Sequence, residues 1–190
     1  MKQIYIIPFL ALILMAADDN EEVVANKLYA NYEQKISFEY PNSWSQTAGQ
    51  QTEAIIIQPK TEGDRFRENF NLFVLDDESM SLDDFTEESL EALTKNHHKF
   101  KMVSNEKKQK LGKNKYTHIT YNHQTLGYPV TVDWYVTTKK EFIYSFTFSS
   151  EKDSASKYIS SYENVVKSFN LKAKAPKVKK EKKKKEKKKE

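Results

Sequence analysis

Two segments in the second half of the chain carry apolar side chains at every second position, Val130, Val132, Trp134 and Val136 in Tyr128–Thr137, and Phe142, Tyr144, Phe146 and Phe148 in Phe142–Phe148. A period of two is the signature of a β-strand with one face buried. A tight turn near Thr138–Glu141 joins them, and a third β-rich segment, Tyr116–His123, precedes them across a turn at Gly127. Strands joined this closely must pair antiparallel, because a parallel crossover needs a dozen or more residues. The chain therefore contains a β-meander, and everything else has to pack against it.

The first half supplies more strands. Ile36, Phe38 and Tyr40 alternate with polar residues up to Pro41, and Trp44 lies just beyond, where a turn brings the indole back to the core. Ala54–Gln58 stops at Pro59, and residues 61–67 read as an exposed loop. Asn69–Asp76 is apolar on both faces (Phe70, Leu72 and Val74 against Phe73 and Leu75), as expected of a central strand covered on both sides. Ser81 with Asp84 three residues on resembles a capping box, opening a helix to about Asn96 with Phe85, Ser89, Ala92 and Leu93 inward and Leu82 and Leu90 widening the stripe. Met102–Leu111 is lysine-rich, as suits an edge strand. A closing helix is expected over about Ala155–Phe169, its stripe made of Tyr158, Ile159, Tyr162, Val165, Val166 and Phe169. The order β-β-β-α-β-β-β-β-α predicts an α+β fold, a mostly antiparallel sheet flanked by helices.

The ends differ from this middle. Lys2 followed by the apolar run Ile4–Met15 and the small residues Ala16 and Ala17 reads as a signal peptide over residues 1–17. Fourteen residues from Ile4 to Ala17 are too few to cross ~30 Å of hydrocarbon, so no transmembrane segment is expected in the mature chain. Leu14-Met15-Ala16-Ala17 also resembles a lipoprotein signal with Ala17 where the lipidated cysteine would stand. Two readings stay open, a plain secretory signal and a lipoprotein signal that has lost its cysteine. Residues 18–34 are a linker or a short helix, with Val24, Leu28 and Tyr32 at i, i+4, i+8 spacing. The domain proper is expected over residues 35–171.

Charge is concentrated at the C-terminus. Residues 172–190 hold 12 lysines and 3 glutamates, a local charge of +9 against a whole-chain net of +4, so the remainder is acidic. With no aromatic residue the tail can bury little, and disorder is expected. Lys177, Lys179, Lys180, Lys182, Lys183, Lys184, Lys185, Lys187, Lys188 and Lys189 are its candidate contacts to an anionic surface, the plainer reading being a solubilising tail. Export places the protein in the periplasm, at the cell surface or outside the cell, which disfavours nucleic acid as a partner. An unidentified protein or envelope component is the expected partner.

Several landmarks together resemble the PsbP-like family. They are Ile36-Ser37-Phe38-Glu39-Tyr40-Pro41 followed by Trp44, Asn69-Phe70-Asn71-Leu72 before Ser81-Leu82-Asp83-Asp84-Phe85, the Trp134-Tyr135 strand, and the helix ending Tyr162–Phe169. The family includes the extrinsic photosystem II subunit PsbP and bacterial envelope proteins such as DcrB. The resemblance implies an α/β/α sandwich and a non-catalytic binding or accessory role outside the cytoplasm. Bacterial members are often lipoproteins, and the chain departs from that habit in lacking the cysteine. No family metal site carries over, because no ligand motif matches position by position.

The residues themselves offer little chemistry. There is no cysteine, which excludes disulfides, thiolate metal sites and cysteine nucleophiles. Neither a Gly-x-Ser-x-Gly elbow, a phosphate-cradling glycine loop nor a His-Glu-x-x-His motif occurs, so no enzyme is expected and no cofactor is called for. The acidic groups Asp76-Asp77-Glu78 and Asp83-Asp84 flank the first helix and complement its dipole, and they lack the central glycine of a calcium loop. His97 and His98 read as a surface pair at the helix end. His118 and His123 lie five residues apart on one strand and should face opposite sides. The alternative to a binding module is a divalent-metal protein in which His118 or His123 joins a carboxylate such as Asp133.

Overall fold

The alternation in the second half folds as its period demands. In the computed structural model, which describes residues 26–47, 49, 52–62, 66–76 and 80–175, β7 (Asn114–Thr125), β8 (Tyr128–Lys139) and β9 (Phe142–Glu151) form an unbroken antiparallel meander. Chain-order neighbours then stop being spatial neighbours. β9 pairs on its far side with β5 (Asn69–Asp76), with Leu72 opposite Phe146. β4 (Ala54–Ile57) and the three-residue β3 (Ser45–Thr47) continue outward from β5, and β6 (His98–Leu111) closes the other edge. The result is a seven-stranded sheet in the order β3-β4-β5-β9-β8-β7-β6, antiparallel throughout.

Each face has its own cover. Phe70, Leu72, Phe146 and Phe148 point to one side, where they meet α2 (Ile159–Ser168) through Tyr162, Val165 and Val166, with Phe169 just beyond it. A hairpin of β1 (Lys27–Asn31) and β2 (Ile36–Tyr40) seals the same side with Ile36, Phe38 and Tyr40, and Trp44 tucks in after a turn bonded from its N–H to the Pro41 carbonyl at 3.0 Å. Val130, Val132, Trp134 and Val136 point to the other side, under α1 (Leu82–Asn96). Phe85 of α1 meets Trp134 edge-on with ring centroids 6.0 Å apart. The Ser81 hydroxyl caps α1 by accepting the Asp84 N–H at 3.1 Å, as its sequence position predicts. This is the expected α+β arrangement, a large antiparallel sheet with two flanking helices.

Four local expectations change. Residues 27–31, expected in a linker or short helix, form β1 instead. Once β2 offers its edge, Tyr29 can stack on Phe38 at 4.8 Å, which a lone helix turn could not achieve. The closing helix is broken: Ala155–Lys157 make a 3-10 turn and the α-helix proper begins at Ile159. Ile159, expected in the buried stripe, is 44% exposed because the turn rotates it outward. Ala173, expected in the tail, is buried, its N–H bonded to the Lys35 carbonyl at 2.8 Å in continuation of a bridge between Ser37 and Asn170. The expected signal peptide (1–17), residues 18–25 of the linker and the tail lysines from Lys177 onward lie outside the described residues. No helix among the described residues is long and apolar enough to cross a membrane.

Candidate functional site

His118, Asp133 and His123, the candidate ligands, are all held by the β7–β8 pair. Its register runs without a bulge from Thr117 opposite Val136 to Thr125 opposite Tyr128. Side chains of opposed residues share a face, so His118 pairs with Tyr135 and Thr120 with Asp133 on the α2 side. His123, opposite Val130, falls on the α1 side. The two histidines are therefore separated by the sheet, as their five-residue spacing requires.

On the α2 side a polar cluster forms. His118 Nε2 lies 3.0 Å from Asp133 Oδ1, and the Thr120 hydroxyl donates to the same oxygen at 2.9 Å. The imidazole lies flat on the Tyr135 ring, with centroids 4.0 Å apart and planes 6° from parallel. His118 and Asp133 side chains are only 14% and 10% exposed, so the pair is sheltered and each partner supplies the other's hydrogen bond. Nδ1 of His118 is buried and has no hydrogen-bond partner among the described residues. Burial holds the Tyr135 phenol well above its ordinary value, and the charges of Asp133, Glu163 and Glu106 add to this. That phenol stays neutral at any physiological pH.

One imidazole and one carboxylate fall short of the three protein ligands a catalytic zinc takes, and of four for a structural one. Among the described residues no group of three His, Asp or Glu side chains is placed to hold a metal ion. The arrangement is a hydrogen-bonded cluster in which Asp133 Oδ1 already serves two neighbours.

On the α1 side His123 meets a partner that sequence reasoning set elsewhere. His97, expected with His98 as a surface pair, stacks on His123 with centroids 4.4 Å apart, and both rings lie near Tyr121. His97 is the C-cap of α1, its N–H bonded to the Leu93 carbonyl at 2.8 Å, and that cap turns its ring in over β7. His98 is exposed, as expected. Burial lowers the affinity of His123 for a proton, with the neighbouring His97 adding to the effect, and brings its pKa down to about 4. Burial shifts His97 in the same direction. The one signal for this pair in the sequence was that His123 shares the parity of Ile119 and Tyr121, the face that α1 covers.

The acidic groups at the start of α1 are structural. Asp83 and Asp84 occupy its first turn, where carboxylates suit the helix dipole, and Asp83 pairs with Lys107 of β6 at 2.8 Å. Asp77 and Glu78 lie outside the described residues, as do Lys177, Lys179, Lys180, Lys182, Lys183, Lys184, Lys185, Lys187, Lys188 and Lys189.

The fold has counterparts among solved structures. Cyanobacterial PsbP (CyanoP) from Synechocystis sp. PCC 6803 superposes with a TM-score of 0.60 at 15% identity, over 82% of this chain and 97% of that one. The Ran-binding protein Mog1p of Saccharomyces cerevisiae gives 0.55 at 12% identity, over 78% and 96%. LpqN of Mycobacterium tuberculosis, a protein involved in cell envelope biogenesis, gives 0.52 at 11% identity, over 78% and 86%. No protein-family model and no curated protein matches the chain by sequence. The chain thus shares the fold of CyanoP and Mog1p.

Proposed function

We propose that this chain is an exported, non-catalytic accessory protein of the bacterial cell envelope, of the PsbP/DcrB type, held at anionic surfaces by its lysine-rich tail. The observation that carries the reading is the fold shared with CyanoP and with LpqN, a protein involved in cell envelope biogenesis, in a chain that opens on an apolar leader and ends in lysines. In this organisation residues 1–17 direct export, the folded domain binds an envelope component or protein partner, and residues 172–190 supply adhesion. Each lysine near an anionic membrane contributes about 1 kcal/mol, and added salt weakens the attraction. Binding work needs no catalytic group.

The test is localisation in the native host of the intact chain against one truncated after Leu171. The proposal expects both to be exported, with only the intact form retained on the envelope and stripped from it by salt. Equal release of both forms defeats the tether, and retention of both in the cytoplasm defeats export.

A further inference from the structure

Lysines that are far apart in sequence converge at one end of the sheet. The β8–β9 turn brings Lys139 and Lys140 there, the β1–β2 turn brings Lys35, and the segment after α2 brings Lys172. Lys139 stands within electrostatic reach of the other three: its ammonium is held below its ordinary pKa first by desolvation and then by Lys172, Lys140 and Lys35. Lys139 donates to the Leu171 carbonyl, and Ala173 bonds to Lys35, so the root of the lysine tail is fastened into the middle of the group. The β6–β7 turn adds Lys113 beside it, because Asn114 Nδ2 reaches the Phe169 carbonyl at 2.9 Å. Gly112 there (φ +59°) approaches the end of α2 so closely that a Cβ would sit 2.3 Å from the Lys167 carbonyl oxygen. Among the described residues the acidic groups at this end are Glu33, Asp76 and Glu141, fewer than the lysines.

Two of these lysines occupy backbone conformations that discourage their presence. Lys35 has φ +60° and Lys140 φ +55°, the left-handed region where glycine or asparagine is the unstrained choice. That conformation disfavours any β-carbon and is shared by Lys99 and Lys108 of β6, so it marks the local backbone and not the charge. The mutual repulsion of the clustered lysines is what a bound anion would offset. Tyr32, 41% exposed on the same turn as Lys35, supplies an aromatic ring with a polar tip, the side chain that suits a headgroup layer. The surface is the blunt end of a sheet, made of three turns. Clustered lysines beside a half-exposed tyrosine suit an anionic headgroup layer better than the groove and stacking rings of a nucleic-acid site.

We infer that the end of the domain carrying Lys35, Lys113, Lys139, Lys140 and Lys172 docks on anionic phospholipid headgroups, so that the domain stands on the bilayer in a fixed orientation with the tail alongside. This deepens the tether reading and rests on it for the surface concerned, while assigning a separate role to the folded domain.

The experiment uses the full mature chain and vesicles of phosphatidylcholine with about one-third phosphatidylglycerol, read by co-sedimentation at low and at physiological salt. Lys35→Asn, Lys140→Asn and Lys172→Gln together, with the tail intact, should weaken binding roughly 30–100-fold at low salt. Lys140→Arg should bind as the parent does, and Lys140→Asn alone should lose roughly 3–10-fold. Because the chain has no cysteine, a fluorophore placed by Lys113→Cys should change its emission on vesicles. One placed by Leu126→Cys, at the opposite end of β8, should not. Loss of binding on truncation after Ala175, with no effect of the triple substitution and equal response of both labels, would leave the tail as sole tether and overturn the docking surface. Loss on triple substitution with none on truncation would retain the docking surface and overturn the tail. Binding to double-stranded RNA or DNA with none to the vesicles overturns both.

Discussion

The two faces of the seven-stranded sheet hold cores of different make, and β9 shows the difference within one strand. Its even positions, Phe146 and Phe148, enter a lattice of rings on the α2 side: Phe38 meets Phe146 at 5.6 Å, Phe70 meets Phe148 at 4.9 Å and Phe169 meets Phe146 at 4.9 Å. Its odd positions, Ser145, Thr147 and Ser149, are just as buried but polar, and Ser145 takes the indole N–H of Trp134 at 2.7 Å. Under α1 the core mixes aliphatic residues, Val130, Val132, Val136 and Ile143, with the scattered aromatics Phe66, Tyr121 and Trp134; Phe85 is the buried aromatic of the helix and the His97–His123 stack lies at the margin. The α2 face is thus an interlocked aromatic core closed by two elements. The α1 face is covered by a single helix and has two stacked histidines at its edge, His97 and His123. One sheet supports both because the period of two lets each strand write two independent surfaces.

The largest test of this contrast removes one ring from each side. Phe146→Ala should cost about 4–5 kcal/mol in urea denaturation, because the surrounding rings cannot collapse into the space. Phe85→Ala should cost about 3 kcal/mol, since α1 can settle toward the valines. Equal or reversed costs would break the comparison. Acid provides the next test. His123 takes up a proton near pH 6.5 when unfolded and only near 4 when folded, so the unfolded state binds more protons in between and stability rises with pH there. This contribution is complete above about pH 6.5 and is lost as pH falls toward 4. After allowance for solvent screening it amounts to about 1–2 kcal/mol, visible as a flatter acid limb of Tm in His123→Gln than in the parent. A smaller effect belongs to the helix cap: Ser81→Ala should lower stability by about 1 kcal/mol with the α2-face fluorescence of Trp44 unchanged at the onset of unfolding. The smallest concerns the rim of the α2 face. Zinc in tenfold excess should leave Tm within about 1 °C for both the parent and His118→Ala, and a rise of several degrees seen only in the parent would revive a metal role for His118 and Asp133.

What the sequence disclosed was whatever short-range physics decides. The meander, the Ser81 cap, the double-sided Asn69–Asp76 strand and the opposite facing of His118 and His123 follow from periodicity and local hydrogen bonding, and each is present in the structure. What stayed hidden depends on partners distant in sequence. Val24, Leu28 and Tyr32 mimic a helical stripe, but Leu28 belongs to a strand because β2 is available to pair with it. Ser45–Thr47 has no apolar alternation and becomes β3 only along the edge of β4. The pairing of His118 with Asp133 is open to a reading of neighbouring strands, whereas that of His97 with His123 depends on α1 crossing over β7. The basic end was invisible for the same reason: Lys35, Lys139, Lys140 and Lys172 meet only through topology.

The clasp at Asn170–Ala173 has a mechanical side. Its backbone bonds to Ser37 and Lys35, at 2.8–3.0 Å, together with Lys139 on the Leu171 carbonyl, lie between the C-terminal tail and α2. A pull on the tail reaches Ala173 first and Asn170 next, so the bonds are loaded in turn and can open singly like a zipper. For a tail serving as a tether, these few hydrogen bonds are the first to be loaded, ahead of the aromatic core.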